Sequence, residues 1–372
     1  MRVAKRMAIS RSIHSAAYFC VSVLVGIAVA AAESPLPSSE KKSGDVFKNL
    51  KVLNNTPSDL LLPSMEFITS SLGVHCEYCH VEKAFEKDDK KPKQTAREMM
   101  RMVQEINRTT FQGKQEVTCY SCHRGSPKPL TVPVIAKLPP RLVSHPVDDD
   151  PPEAANQPSP QQVISKYISA RGGTSALGSL TSFEERGTFE SDSRAFSAEL
   201  YLTRSGRSAT VIHLPGANRI TAFDGTSGWL SFPGRPARSL SAAEIDTIRL
   251  NADLQFGLDL KNVFSEIKFA GFSKVGSADT VMLSGQRPGF PPVEMYFDKT
   301  SGLLLRTVYY SPSALGFNPT QTDYSDYRSA GAVKIPFHWT SSTPTGRFNL
   351  QIVSARANVS IPENVFSKPA GQ

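Results

Sequence analysis

The chain has 372 residues, 40% hydrophobic and 20% charged, with 24 glycines and 27 prolines. That length leaves room for two domains, since one core seldom grows past ~250–300 residues, and the composition is neither disordered nor fibrous. Net charge is +8, but residues 1–32 hold Arg2, Lys5, Arg6 and Arg11 and no acid, so without those four cations the sum is +4 and no basic patch for nucleic acid is indicated.

The chain opens as an export signal. A basic start precedes an apolar stretch from about Ala16 to Val29, and Ala30-Ala31-Ala32 offers a small-residue site for cleavage before Glu33. Cys20 lies inside the apolar stretch, with more apolar sequence after it, and reads as a bystander rather than a lipid-attachment site. Beyond residue 32 no apolar run reaches the ~18–20 residues of a membrane span. An exported, periplasmic protein is expected.

Three regions follow: 40–125, charged and helix-patterned; 126–158, a linker; and 159–372, a second domain. The linker is crowded with prolines and carries the acidic run Asp148-Asp149-Asp150, a composition that favours extended chain and packs no core. The second domain opens on Ser159, Pro160 and Gln162, a capping box with proline at the first helical position. Alternation then predicts strands, clearest where Phe196, Ala198, Leu200 and Leu202 point one way. Similar segments fall at 210–214, 219–223, 264–270, 281–284, 293–297, 303–310, 334–340 and 348–355, punctuated by Gly, Pro, Asn and Asp as in an antiparallel meander. Ser241 and Glu244 form a second capping box, opening a helix to about Leu258. One strongly curved antiparallel sheet with a few helices is the economical architecture.

Four of the five cysteines form a pattern: Cys76-Glu77-Tyr78-Cys79-His80 and Cys119-Tyr120-Ser121-Cys122-His123. This is the covalent c-type haem signature, twice. Two thiols separated by two residues reach the two vinyl groups of one porphyrin, and the adjacent histidine lies under the ring to ligate iron. A four-thiolate zinc site would explain the thiols but leave both trailing histidines as coincidence. Redox dithiols lack a thioredoxin-like strand pattern around them. Two covalently attached haem c groups are therefore expected, held through Cys76, Cys79, Cys119 and Cys122, with His80 and His123 as proximal ligands. Their four propionates would bring the net charge close to zero.

Histidine is a poor source for the distal ligands. His14 leaves with the signal, His75 abuts Cys76, His145 sits in the linker, and His213 and His338 fall in strands of the other domain. Methionine is better placed. Met65 precedes Cys76 in the segment from Ser64 to Gly73, which reads as a short helix between Pro63 and a C-capping glycine. Thr95-Ala96-Arg97-Glu98 reads as a capping box opening a helix to about Asn107. That helix displays Met99, Met100 and Met102; Met99, Val103 and Ile106 share a face, and Met100 falls on another. Spacing alone leaves the second site divided between Met99 and Met102.

With these residues in hand, residues 45–129 resemble half of the photosynthetic reaction centre cytochrome c subunit family. The match is carried by Met65, Leu72-Gly73-Val74 and the first motif, then by Ala96 to Met102 with Ile106-Asn107, then by Val117-Thr118, the second motif and Arg124-Gly125. The resemblance implies methionine from the preceding helix as distal ligand at each haem, and position by position it selects Met65 and Met99. The family's full subunit carries four haems, and this chain has two motifs. Residues 159–372 look like the outer-membrane lipoprotein carrier superfamily, through Arg171-Gly172-Gly173, Phe223-Asp224-Gly225, Gly228-Trp229 and Tyr324 to Arg328. That likeness implies a half-barrel fold more than an activity.

The expected architecture is thus multidomain: a small α-helical multihaem c-type cytochrome domain, then an α+β domain with a curved antiparallel β half-barrel. The expected function is electron transfer without bond chemistry, in exchange with redox partner proteins such as a membrane reaction centre or respiratory complex. Two rival readings are a dihaem peroxidase, with Glu66 or Glu98 as acid/base, and a lipid or lipoprotein carrier whose half-barrel holds an acyl chain while the haems sense redox state. Arg124, after the second motif, is a candidate partner for a propionate.

Overall fold

The computed structural model describes residues 41–129, 157–191, 194–258, 260–344 and 346–368. The expected export signal with Cys20, and residues 130–156 of the expected linker 126–158 with His145 and the acidic run, lie outside the described residues. All described residues belong to one unit, Ser34–Gln372.

The first region is helical: α1 (Ser43–Val46), α2 (Leu61–Leu72), α3 (Lys91–Thr110) and α4 (Cys119–His123). Helix α2 ends at Gly73 as the sequence predicts, but it begins at Leu61 rather than after Pro63. Proline is tolerated in a first turn because its missing N–H would have no helical partner there. The same rule corrects α3. The expected start at Thr95 is wrong: the helix begins at Lys91 with Pro92 in its first turn, and the Thr95 hydroxyl bonds back to the Lys91 carbonyl at 3.4 Å. Thr95 and Glu98 are interior residues that happen to spell a capping box.

The second region opens with α5 (Pro160–Ala170) and α6 (Gly173–Gly178). The reciprocal capping box at α5 is present: the Ser159 N–H donates to Gln162 Oε1 at 2.7 Å and the Gln162 N–H to Ser159 Oγ at 3.2 Å. Thirteen strands follow: β1 (Ser182–Ser191), β2 (Arg194–Thr203), β3 (Ser208–Leu214), β4 (Ala217–Phe223), β5 (Gly228–Ser231), β6 (Arg238–Ser239), β7 (Glu266–Val275), β8 (Ala278–Gln286), β9 (Val293–Asp298), β10 (Leu304–Ser313), β11 (Gly316–Ala330), β12 (Val333–Thr343) and β13 (Gly346–Ala357). Two meanders, β1 to β6 and β7 to β13, join where β1 pairs antiparallel with β13, so β6 and β7 are the edges of one sheet. Helices α7 (Ala242–Phe256) and α8 (Leu260–Val263) connect those edges, and α7 starts on the predicted Ser241–Glu244 box.

The inner face of the sheet is filled by side chains. Leu177 and Phe256 pack on Phe183, Val333 and Ile335, while Tyr167, Leu250 and Leu254 pack on Leu283, Met295 and Phe297. Arg171, 1% exposed, ties the helices to the sheet, donating to the Lys334 and Gln255 carbonyls and to the Tyr167 hydroxyl.

A third cluster lies in the first region and recruits a residue from the sheet. Leu315, in the β10–β11 turn, packs with Val52, Leu53, Leu61, Phe67, Ile68 and Met100. The Ala314 N–H donates to Ser64 Oγ at 3.0 Å, and Asn318 Nδ2 and Gln115 Nε2 donate to the Pro63 and Ala314 carbonyls at 3.0 and 2.8 Å. Gly316 has φ +147, and a Cβ there would sit 2.7 Å from the Phe67 ring. The turn is therefore wedged against the helix that bears Met65.

Candidate functional site

The first motif follows directly from the end of α2. Gly73 (φ +64) closes the helix with paired bonds, its own N–H to the Ser70 carbonyl and the Val74 N–H to the Thr69 carbonyl, the glycine-terminated helix end that αL geometry permits. The chain then turns through a short 3₁₀ segment, Cys76–Tyr78, and the His80 N–H bonds to the Cys76 carbonyl at 3.0 Å. The second motif is α4 itself. Its Thr118–Ser121 box caps the start, and Arg124, exposed and in the left-handed conformation, closes the end.

Two devices fix the motifs against the helices. Asn107, buried in the last turns of α3, donates to the Val117 carbonyl at 2.7 Å and accepts the Val117 N–H at 2.9 Å, clamping the chain just before Cys119. The Gly125 N–H donates to the Ser71 carbonyl at 2.9 Å, and a Cβ at Gly73 would lie 2.3 Å from the Gly125 carbonyl oxygen. The end of α2 is thus seated on the end of the second motif.

Both motif histidines are oriented alike. His80 Nδ1 lies 2.9 Å from the Phe85 carbonyl oxygen, and His123 Nδ1 lies 2.9 Å from the Ser126 carbonyl oxygen. A carbonyl only accepts, so in each neutral ring Nδ1 carries the proton and Nε2 keeps its lone pair for a metal. The Phe85 ring packs on His80 with centroids 5.4 Å apart.

A cavity of about 420 Å³ opens between α3 and the second motif. It is lined by Met99, Met102 and Val103 of α3, by Ile68 and Leu72 of α2, and by Cys119, Cys122 and His123, with Tyr78 and Cys79 of the first motif also on its wall. Met99 and Met102 are 37% and 44% exposed, whereas Met100 is 8% exposed and packs toward the core. Met100 differs from Met99 in exposure but lines the same cavity. The cavity brings Met99 together with Cys119, Cys122 and His123, but Met100 and Met102 line it too, so position alone does not separate them. Met65 is half-buried against the third core cluster, and the cavity wall includes neither it, Cys76 nor His80.

The wall chemistry suits a large flat apolar group with one imidazole ligand. Burial is the main cause that raises the Cys79 and Cys119 thiols above their ordinary pKa, so thiolate chemistry is disfavoured there. Among the described residues no three His, Cys, Asp or Glu side chains group to hold a bare metal ion. Glu66 and Glu98 are exposed, and none of the described residues lining the cavity carries a carboxylate. His213 bonds Asn218 and His338 bonds Ser325, both in the sheet.

A residue that sequence reasoning passed over stands behind His80. Lys93, 8% exposed, donates to the Phe85, Glu86 and Lys87 carbonyls and to Asp88. Hydrogen bonds from Arg97, then Lys93 and Asn49, hold the Asp88 carboxyl well below the usual carboxylate range. Only its place in the first turn of the true α3, hidden by the false start at Thr95, could have signalled it.

Residues 21–165 match the family described as photosynthetic reaction centre cytochrome C subunit. The photosynthetic reaction center cytochrome c subunit of Rubrivivax gelatinosus is 35% identical over 99 residues, 26% of this chain and 27% of that protein. That of Thermochromatium tepidum is 31% identical over 96 residues, 25% and 24% of the two chains. The chain thus spans about a quarter of the length of these curated relatives. Among solved structures, a LolA superfamily protein from Nitrosomonas europaea aligns over 57% of this chain and 99% of its own, at 12% identity and a TM-score of 0.38.

Proposed function

We propose that residues 41–129 hold two covalently attached haem c groups and that the exported chain is a periplasmic electron carrier. The observation that carries this reading is the shared orientation of His80 and His123, each with Nδ1 on a backbone carbonyl, which leaves Nε2 free to ligate iron. Cys76 and Cys79 form the thioethers of one group, and Cys119 and Cys122 those of the other. Met65 and Met99 are the distal sulfurs, the latter from the wall facing His123.

Each group, when bound, supplies a one-electron couple whose potential methionine ligation raises relative to two histidines. The chain's own part is to orient the imidazoles, to exclude water with Ile68, Leu72 and Val103, and to hold the two stations close. Tyr78 and Cys79 of the first motif on the wall of the second station support that closeness. The side chains filling the sheet's inner face favour an electron carrier over an acyl-chain carrier. We assign Arg124 as the candidate partner for a propionate, and the exchange partner as another redox protein, of a membrane reaction centre or respiratory complex.

The test is expression of the full chain with a cytochrome c maturation system, followed by a pyridine haemochrome assay and near-infrared spectroscopy. Two haems per chain, low-spin and with the methionine–iron band, are expected. One haem, a high-spin peroxide-reactive iron, or zinc in place of iron would overturn the reading.

A further inference from the structure

The Phe85 carbonyl that receives the His80 proton does not serve His80 alone. Its oxygen lies 2.9 Å from His80 Nδ1 and 2.8 Å from Lys93 Nζ, so both of its lone pairs are engaged. Lys93 is 8% exposed, and a buried ammonium is costly unless oxygen ligands surround it. They do: besides Phe85, the Glu86 and Lys87 carbonyls accept at 3.1 and 2.7 Å, and the Asp88 carboxylate forms an ion pair at 3.0 Å. Arg97 braces the same turn from the next turn of α3, bonding Asp88 and the Asn49 carbonyl at 3.0 Å each, and Asn49 Nδ2 donates to the Glu86 carbonyl at 2.5 Å. The segment after the first motif is therefore wrapped around one cation, and one of the carbonyls bonded to that cation is the one that orients His80.

We infer that Lys93 is a positioning residue that tunes the iron held by His80, acting through the Phe85 carbonyl. An ammonium donating to that oxygen draws electron density from it and makes it a weaker acceptor for the imidazole N–H. The imidazole then gains less anionic character and donates less to the metal, which favours the reduced state and raises the potential. The nearby positive charge acts in the same direction, and Asp88 offsets part of it. The Ser126 carbonyl that receives His123 carries no such cation among the described residues, so the device distinguishes the two stations. This inference rests on the reading of His80 as a haem ligand.

The test is spectroelectrochemical titration of the full, haem-loaded chain and of Lys93→Gln, Lys93→Arg and Asp88→Asn, each with its haem content counted first. With Lys93→Gln one of the two midpoints falls while the other stays. Lys93→Arg, which keeps a cationic donor, restores most of that fall, and Asp88→Asn, which leaves Lys93 in place, raises the same midpoint. The hyperfine-shifted Nδ1–H resonance of one proximal histidine moves with the Gln variant. Unchanged midpoints in Lys93→Gln and Asp88→Asn overturn the inference, as does an equal fall at both haems with loss of the low-spin spectrum, which marks general loosening. A parent chain with no haem at His80 defeats the underlying reading instead, and the haem count shows which has failed. Should Lys93→Gln not accumulate, Asp88→Asn and Lys93→Arg decide the matter.

Discussion

Leu315 belongs by sequence to the sheet and by packing to the cytochrome region, so its truncation tests whether the two share one core. Leu315→Ala removes about three buried carbons at ~0.8 kcal/mol each, and the cavity left behind adds to that loss. The side chain is 7% exposed among Leu61, Phe67, Ile68 and Met100, which are already anchored and cannot collapse freely into the gap. The expected cost is about 3 kcal/mol, within the ~2–5 kcal/mol seen for buried Leu→Ala changes. Urea unfolding of the full chain reads it as a lower midpoint at unchanged slope. Amide exchange localises it: protection falls in α2 and is retained where β1 pairs with β13. Leu62→Ala is the control, because Leu62 is 62% exposed and its truncation should fall within about 0.5 kcal/mol of the parent. A cost below ~1 kcal/mol, or exchange that rises evenly through the sheet, would refute the shared core.

Gly73→Ala places a Cβ 2.3 Å from the Gly125 carbonyl at φ +64, and backbone on both sides cannot yield. The variant should accumulate less haem-loaded protein and lose more than the ~1 kcal/mol of an ordinary glycine change; normal haem content and stability would remove the seating of α2 on the second motif. Met99→Leu should abolish the methionine–iron band of one haem and lower its midpoint, while Met102→Leu leaves both; the reverse result would assign Met102. Glu185, 2% exposed with Gln255 donating to Oε1 at 2.7 Å, is lifted to about 7 by burial, against the pull of Gln255 and Arg171. The folded state holds that proton more tightly than the unfolded chain, so the stability it supplies is full below ~4.3 and is lost as pH rises through about 7. Glu185→Gln should match the parent near pH 4 and exceed it near pH 8 in urea midpoint, and parallel pH profiles would exclude the charge of Glu185 as the cause.

What the chain declares on its own is local. Cys-x-x-Cys-His is a contiguous signature and legible as such, and the Ser159–Gln162 and Ser241–Glu244 boxes, satisfied within one turn, are found in place. Strands with one greasy face were legible for the same reason, whereas β1 and β11 were not. Their residues, from Ser182 to Ser191 and from Gly316 to Ala330, are largely polar, and only their neighbours in the sheet make strands of them. Helix α3 misled because a threonine and a glutamate at capping spacing occur by chance inside a helix that a proline had already started.

The tertiary structure alone decided the contacts between residues far apart in sequence. Lys93 meets the carbonyl that serves His80, Asn107 clamps Val117, Gly73 meets Gly125, and Leu315 enters a core more than two hundred residues upstream. The physical reason is the range of the forces concerned. Thioether spacing and helix caps are satisfied by near neighbours, but burying an ammonium, orienting an imidazole or filling a core requires whichever group the folded chain brings within a few ångströms, and no pattern of adjacent residues encodes that.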